Sequence, residues 1–146
     1  MLKWQEQFET KEANVDAQHR KLFDMVNALE QAVNNKTAEA TIDETLSFLG
    51  KYVIGHFNYE EGCMARVKCP SSAENKKAHQ EFLNVYQAFV QRYKNEGYSD
   101  SLSKELLKVA QEWLIKHICG CDIRLKYYMP KNNNCKLLIL RSLWIV

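Results

Sequence analysis

The chain has 146 residues, 46% hydrophobic and 26% charged, a balance that excludes a disordered polymer and is enough for one real core. Twenty basic against eighteen acidic residues give a net charge of +2, which argues against nucleic acid or a membrane surface as a partner. Two prolines and five glycines are too few for a sandwich or barrel and point to helices.

The first residues, Met1 to Glu6, contain no apolar run of the kind a secretory signal needs. The longest apolar-rich stretch, Leu137 to Val146, is interrupted by Arg141 and Ser142 and is about half of the ~20 residues that span a bilayer. No membrane span is expected. Five cysteines, Cys63, Cys69, Cys119, Cys121 and Cys135, form no even disulfide framework, so reduced thiols and a cytoplasmic location are expected.

Four helices follow from periodicity and punctuation. The first opens at Asp16 as N-cap, carries His19, Leu22, Val26, Leu29 and Val33 on one face, and ends at Asn34-Asn35-Lys36. The second opens on a capping box, Thr41 with Glu44, and its stripe is Ile42, Leu46, Leu49, Val53, His56, Glu60 and Cys63. Gly50, Gly55 and Gly62 fall inside it, each either a close-packing point or a weakness worth about 1 kcal/mol. Pro70 breaks the chain, and Ser71 with Glu74 makes a second capping box. The third stripe is Asn75, His79, Phe82, Tyr86, Phe89 and Tyr93, closed by Asn95-Glu96-Gly97. The fourth runs from about Ser101 to Tyr128, with Leu106, Ala110, Trp113 and His117 on its stripe, and stops at Pro130. Short connections between long amphipathic helices predict an all-α, up-down-up-down four-helix bundle over about 16–128. No repeat or second domain is visible, so 1–146 is read as a single domain with an apolar tail, 135–146. That tail either packs on the bundle, mediates association or stays exposed.

All four histidines of the chain, His19, His56, His79 and His117, lie on these stripes, one per helix. Imidazole and carboxylate together suit iron, zinc or manganese. His56 and Glu60, four apart, project from one helix face, and Asn75 and His79 repeat that spacing. Asp122 follows His117 by five, about 140° around a helix at ~100° per residue, so spacing leaves it either a solvated acid or a ligand. Cys119 and Cys121 are read as small apolar fillers rather than thiolate ligands.

Trp4, the run Asp16-Ala17-Gln18-His19, the segment His56-Phe57-Asn58-Tyr59-Glu60-Glu61 with Met64, and Trp113 to Asp122 resemble the hemerythrin family, bacterial type, over about residues 4–128. The resemblance implies a hemerythrin-like bundle holding two irons, bridged by an oxo or hydroxo group and by Glu60 and Asp122. It implies that His19 and His56 hold the iron that binds O2 at an open position, and that His79 and His117 hold the second. Where the family has a third histidine on that second iron, this chain has Asn75. Three outcomes are open there: Asn75 binds through oxygen, water fills the gap, or the second iron is weakly held. Leu22, Phe57, Trp113, Leu114 and Ile118 flank these positions as a dry shell, as bundle core, or as both.

The function implied is reversible O2 binding for storage, delivery or sensing, with O2 as a small-molecule ligand. One alternative is a di-iron oxidase or peroxidase using the position opened at Asn75. The chain contains no Glu-x-x-His, the motif of the ferritin-like di-iron enzymes, which counts against that class. Another is a bundle with impaired metal binding.

Overall fold

The structure, a computed structural model, describes residues 1–130. The apolar tail and Cys135 lie outside the described residues. Four α-helices account for most of the chain: α1 (Ala13–Asn34), α2 (Ala38–Arg66), α3 (Ser72–Glu96) and α4 (Asp100–Gly120). One short 3-10 turn, Glu6–Phe8, precedes them, and a longer one, Asp122–Tyr127, follows. In sequence order each helix packs on the next, and α1 also packs on α4, closing the bundle. No helix among the described residues is long and apolar enough to cross a membrane.

The stripes read from sequence are the buried faces. Every residue of the α2 stripe, from Ile42 to Cys63, is buried, as are His19, Leu22, Val26 and Leu29 of α1. Three apolar clusters follow the bundle axis. Phe89, Leu102 and Leu106 join Leu29, Ile42 and Leu46 at one end. The middle holds Leu22, Phe23, Val53, Phe57, Phe82, Leu114 and Ile118. Val15, Cys63, Met64, Cys69 and Leu125 close the other end.

Helix ends depart from the sequence reading. Asp16 is not the cap of α1: Glu12 accepts from the Val15 amide at 2.8 Å, while Asp16 accepts from the backbone and hydroxyl of Thr10, both at 2.8 Å. The helix therefore starts one turn earlier, at Ala13. Neither expected capping box forms, since α2 already begins at Ala38 and the Ser71 hydroxyl pairs with the Cys69 thiol at 3.2 Å. At the C-termini of α1 and α2, Lys36 and Lys68 take left-handed conformations with φ of 57° and 53°. The next amides, of Thr37 and Cys69, then reach back to the carbonyls of Ala32 and Met64 at 2.8 and 2.9 Å. The fourth helix is also shorter than expected. It changes to a 3-10 helix at Cys121 rather than continuing to Tyr128.

The α2 glycines divide by environment. A Cβ on Gly50 would sit 2.5 Å from the Tyr86 hydroxyl, which is held by donation to the Leu46 carbonyl at 2.6 Å. Gly50 is thus a close-packing point between α2 and α3. Gly55 is exposed with nothing within 4 Å of an added Cβ. Gly50→Ala is expected to destabilise by about 1–3 kcal/mol through overpacking. Gly55→Ala should stabilise by about 0.5–1 kcal/mol through helix propensity. Urea melts of the two variants check this, and equal midpoints would contradict the packing at Tyr86.

Candidate metal centre

Four helices in antiparallel order put the N-terminal parts of α1 and α3 beside the C-terminal parts of α2 and α4. His19, Asn75 and His79 therefore meet His56, Glu60 and His117 at one level of the bundle. Glu60 is fully buried, and its two oxygens face different helices. Oε1 is 3.8 Å from His19 Nε2, whereas Oε2 is 3.4 Å from His79 Nε2 and 3.8 Å from His56 Nε2.

Asp122 completes the ring by leaving the α-helical path. Cys121, with φ −110° and ψ −58°, joins α4 to the 3-10 segment, and this change of helix type turns Asp122 inward. Its Oδ2 is 3.4 Å from His19 Nε2 and its Oδ1 is 3.1 Å from His117 Nε2. The segment is fixed on both sides of that residue. Leu125 is fully buried in the cluster with Val15 and Met64, and Arg124 donates to Glu74 on α3 at 2.8 Å. The solvated alternative for Asp122 is overturned: the residue is fully buried.

The donors form two groups with one shared member. Glu60, His79, His117 and Asp122 offer ligand atoms within 4.8 Å of one another, and so do His19, His56 and Glu60. The two imidazoles His79 and His117 approach Nε2 to Nε2 at 2.9 Å, within hydrogen-bond distance. Outer partners set their orientation. His56 Nδ1 meets Gln18 Oε1 at 2.9 Å and His79 Nδ1 meets Glu61 Oε1 at 3.0 Å, which leaves Nε2 of each ring facing the centre. Aromatic rings pack on all four, with Phe57 5.7 Å from His56. Phe57 stacks on His79 at 3.7 Å, Trp113 stacks on His117 at 4.4 Å, and Trp4 lies 6.3 Å from His19.

Burial dominates the electrostatics. It holds His56 and His117 down at about 4, partly offset by Glu60, and pushes His19 well below the usual imidazole range. These rings are neutral at pH 7, and each then carries one nitrogen lone pair. His79 differs: burial opposes its charge, but hydrogen bonds to Glu60 and Glu61 together with the charges of Glu60 and Asp122 outweigh burial and raise it. Burial pushes Asp122 up to about 8, against the pull of His79.

The fit to a cation is tested by what the protein leaves unsatisfied. Both nitrogens of His19, Glu60 Oε1 and both oxygens of Asp122 are buried without a hydrogen-bond partner. Buried carboxylates are stable when paired or coordinated to metal, and no lysine or arginine among the described residues forms an ion pair with Glu60 or Asp122. A mixed imidazole and carboxylate set of this kind fits a divalent transition metal. The cysteines do not join it. Cys119 is exposed rather than a filler, and burial pushes the Cys121 thiol up to about 11.

Gln18, Glu61 and Met64 stand beside His56, His79 and Asn75, places that helical periodicity does not indicate; the one sequence signal is that Gln18 neighbours His19 and Glu61 follows Glu60.

A family model described as "Hemerythrin HHE cation binding domain" matches residues 10–125. The chain belongs to the hemerythrin family. Bacteriohemerythrin of Stenotrophomonas maltophilia (strain R551-3) is 28% identical over 122 residues, covering 84% of this chain and 77% of that protein. Myohemerythrin of Theromyzon tessulatum is 29% identical over 123 residues, covering 84% of this chain and 89% of its own. A hemerythrin-like protein of Naegleria fowleri is 28% identical over 123 residues, with the same two coverages of 84% and 89%. This is a cation-binding hemerythrin-family bundle with two buried histidine–carboxylate groups.

A cation that binds only the folded chain stabilises it by about 4 kcal/mol at a thousand times its dissociation constant. Adding Fe2+ under nitrogen to chelator-treated protein is expected to raise the melting temperature by on the order of 10 °C. An unchanged melting curve would argue that these donors hold no cation.

Proposed function

We propose that this hemerythrin-family chain is a non-haem di-iron protein that binds O2 reversibly, for storage, delivery or sensing, and is not itself an enzyme. His19 and His56 would hold one iron and His79 and His117 the other, with the Glu60 and Asp122 carboxylates shared between them. The observation that carries this reading is that Glu60 is common to two groups of buried donors, as a bridge between two ions requires. Asp122 supports it by turning one oxygen toward His19 and the other toward His117. When bound, the iron pair supplies the electrons that O2 binding needs.

The chain's own residues supply dryness and orientation. Phe57, Leu114 and Ile118 are buried around the ligands, and Trp113 covers His117. A small hollow of about 20 Å³, open to solvent, has an apolar lining that includes Leu22, Val53, Phe82, Trp113 and Leu114. Exclusion of water favours reversible binding over oxidation of the metal. A cytoplasmic location belongs to the same proposal, supported by the free thiols Cys69, Cys119 and Cys121.

Protein purified under nitrogen and loaded with iron is expected to change its absorption spectrum in air and to recover it on returning to nitrogen. A spectrum that converts once and never recovers, with turnover of a reducing substrate, would favour a di-iron oxidase instead. Glu60→Ala should lose both irons, because the carboxylate is shared, whereas His79→Ala should lose mainly one. Iron quantification after desalting distinguishes them, and a wild-type iron content in Glu60→Ala would refute the bridge.

A further inference from the structure

Eight buried side-chain polar atoms among the described residues have no hydrogen-bond partner, and six of them belong to residues of the centre. Five are on His19, Glu60 and Asp122. The sixth is Asn75 Oδ1, on a neutral residue outside both donor groups. Asn75 is fully buried, one helical turn before His79 on the same face of α3.

The hydrogen bonds of its amide give that oxygen a direction of use. Nδ2 donates to Met64 Sδ at 3.2 Å and to Glu60 Oε2 at 3.4 Å, which accounts for both of its protons. The nitrogen end is therefore occupied by Met64 and Glu60, and the carbonyl end is the free one. Glu60 Oε2, which takes the amide proton, is also the oxygen 3.4 Å from His79 Nε2. The amide thus lies against Glu60, one of the four donors of that group. A buried carbonyl with no partner is costly, and a positive charge beside it removes the cost.

We infer that Asn75 Oδ1 is a ligand of the cation held by Glu60, His79, His117 and Asp122. This rests on the metal-centre reading above. It makes the two halves chemically unequal. One ion has two imidazoles and the bridging carboxylates, and the other has these donor types plus a neutral amide oxygen. Amide oxygen is a hard, weak donor of the kind that suits Mn2+ better than imidazole does. The ion beside Asn75 accordingly has one more protein donor than its neighbour, an oxygen, and is the one of the pair that better accepts Mn2+ in place of Fe2+.

The test measures cation binding by the full chain, not oxygen chemistry. Chelator-treated wild type, Asn75→Leu and Asn75→Asp are titrated with Mn2+ and with Fe2+ under nitrogen, and bound metal is counted after desalting. Leucine has a similar volume and no donor, while aspartate keeps the oxygen. Wild type is expected to hold two ions. Asn75→Leu should hold one as before and weaken the other by roughly 10–100-fold, and Asn75→Asp should restore it. Two ions held by Asn75→Leu with wild-type affinity would overturn the role of Asn75 alone. So would an Asn75→Asp variant as weak as Asn75→Leu. Wild type that takes up no cation would overturn the metal centre itself. Should Asn75→Leu lose its helical circular dichroism, the decision passes to a crystal of Mn2+-loaded wild type. There, Oδ1 within bonding distance of the ion supports the inference, and a water in its place refutes it.

Discussion

Two carboxylates, Glu60 and Asp122, are removed completely from solvent in the middle of an otherwise apolar bundle, and the arrangement around them follows from that removal. Taking one such charge out of water costs several kcal/mol even after the protein relaxes. Among the described residues the positive partners within 4 Å are histidines alone, and burial keeps three of the four neutral. Protonation answers part of the problem for Asp122, whose carboxyl is pushed up to about 8. The protein therefore assembles acceptors and lone pairs without the charge that would balance them. A divalent cation has the right sign and the right donor preference, so the same interaction that is costly without metal becomes the source of affinity with it.

That cost is tolerable because the bundle is stabilised elsewhere. The cluster of Leu29, Ile42, Leu46, Phe89, Leu102 and Leu106 lies at the end of the bundle away from the site and contains none of its donors. The middle cluster reaches the site through Phe57 and Ile118, so its rings both close the core and cover the imidazoles. The two readings of this apolar shell, core filler and dry wall, are accordingly one arrangement. Phe57 illustrates this, touching Phe82 and Trp113 on one side and stacking on His79 on the other.

How much of this could be read in the sequence depended on whether the signal was periodic. Helix faces were legible because burial repeats every three or four residues, and the α2 stripe led from Ile42 to Glu60 without a break. Caps were not. Asp16 looked like an N-cap because aspartate is a good one, but its carboxylate is held by Thr10, and Glu12, a less usual capping residue, takes the Val15 amide. Both apparent capping boxes were local patterns overridden by where the helices pack. Asp122 was the hardest member of the buried donor group to see, since its place depends on a change from α to 3-10 geometry at Cys121 that hydrophobic periodicity does not encode. Only the family resemblance pointed to it.

The residues around the ligands show why such sites need more sequence than their ligands. A histidine nitrogen is useful only if the ring is held in the right plane and tautomer, and this chain uses a different device for each ring. His56 is held by the Gln18 amide oxygen, His79 by Glu61 and the face of Phe57, and His117 by the plane of Trp113. His19 has no hydrogen bond on Nδ1, and its setting comes from Trp4 and from the edge of His56 at 4.8 Å. Gln18 and His19 are adjacent on α1, so one turn of helix both supplies a ring and orients its neighbour on α2. Rotating α1 would disturb both imidazoles on that side at once. The Leu22, Phe23 and Val26 contacts in the middle cluster, which fix that rotation, are thus as necessary to the geometry of the site as the donors themselves.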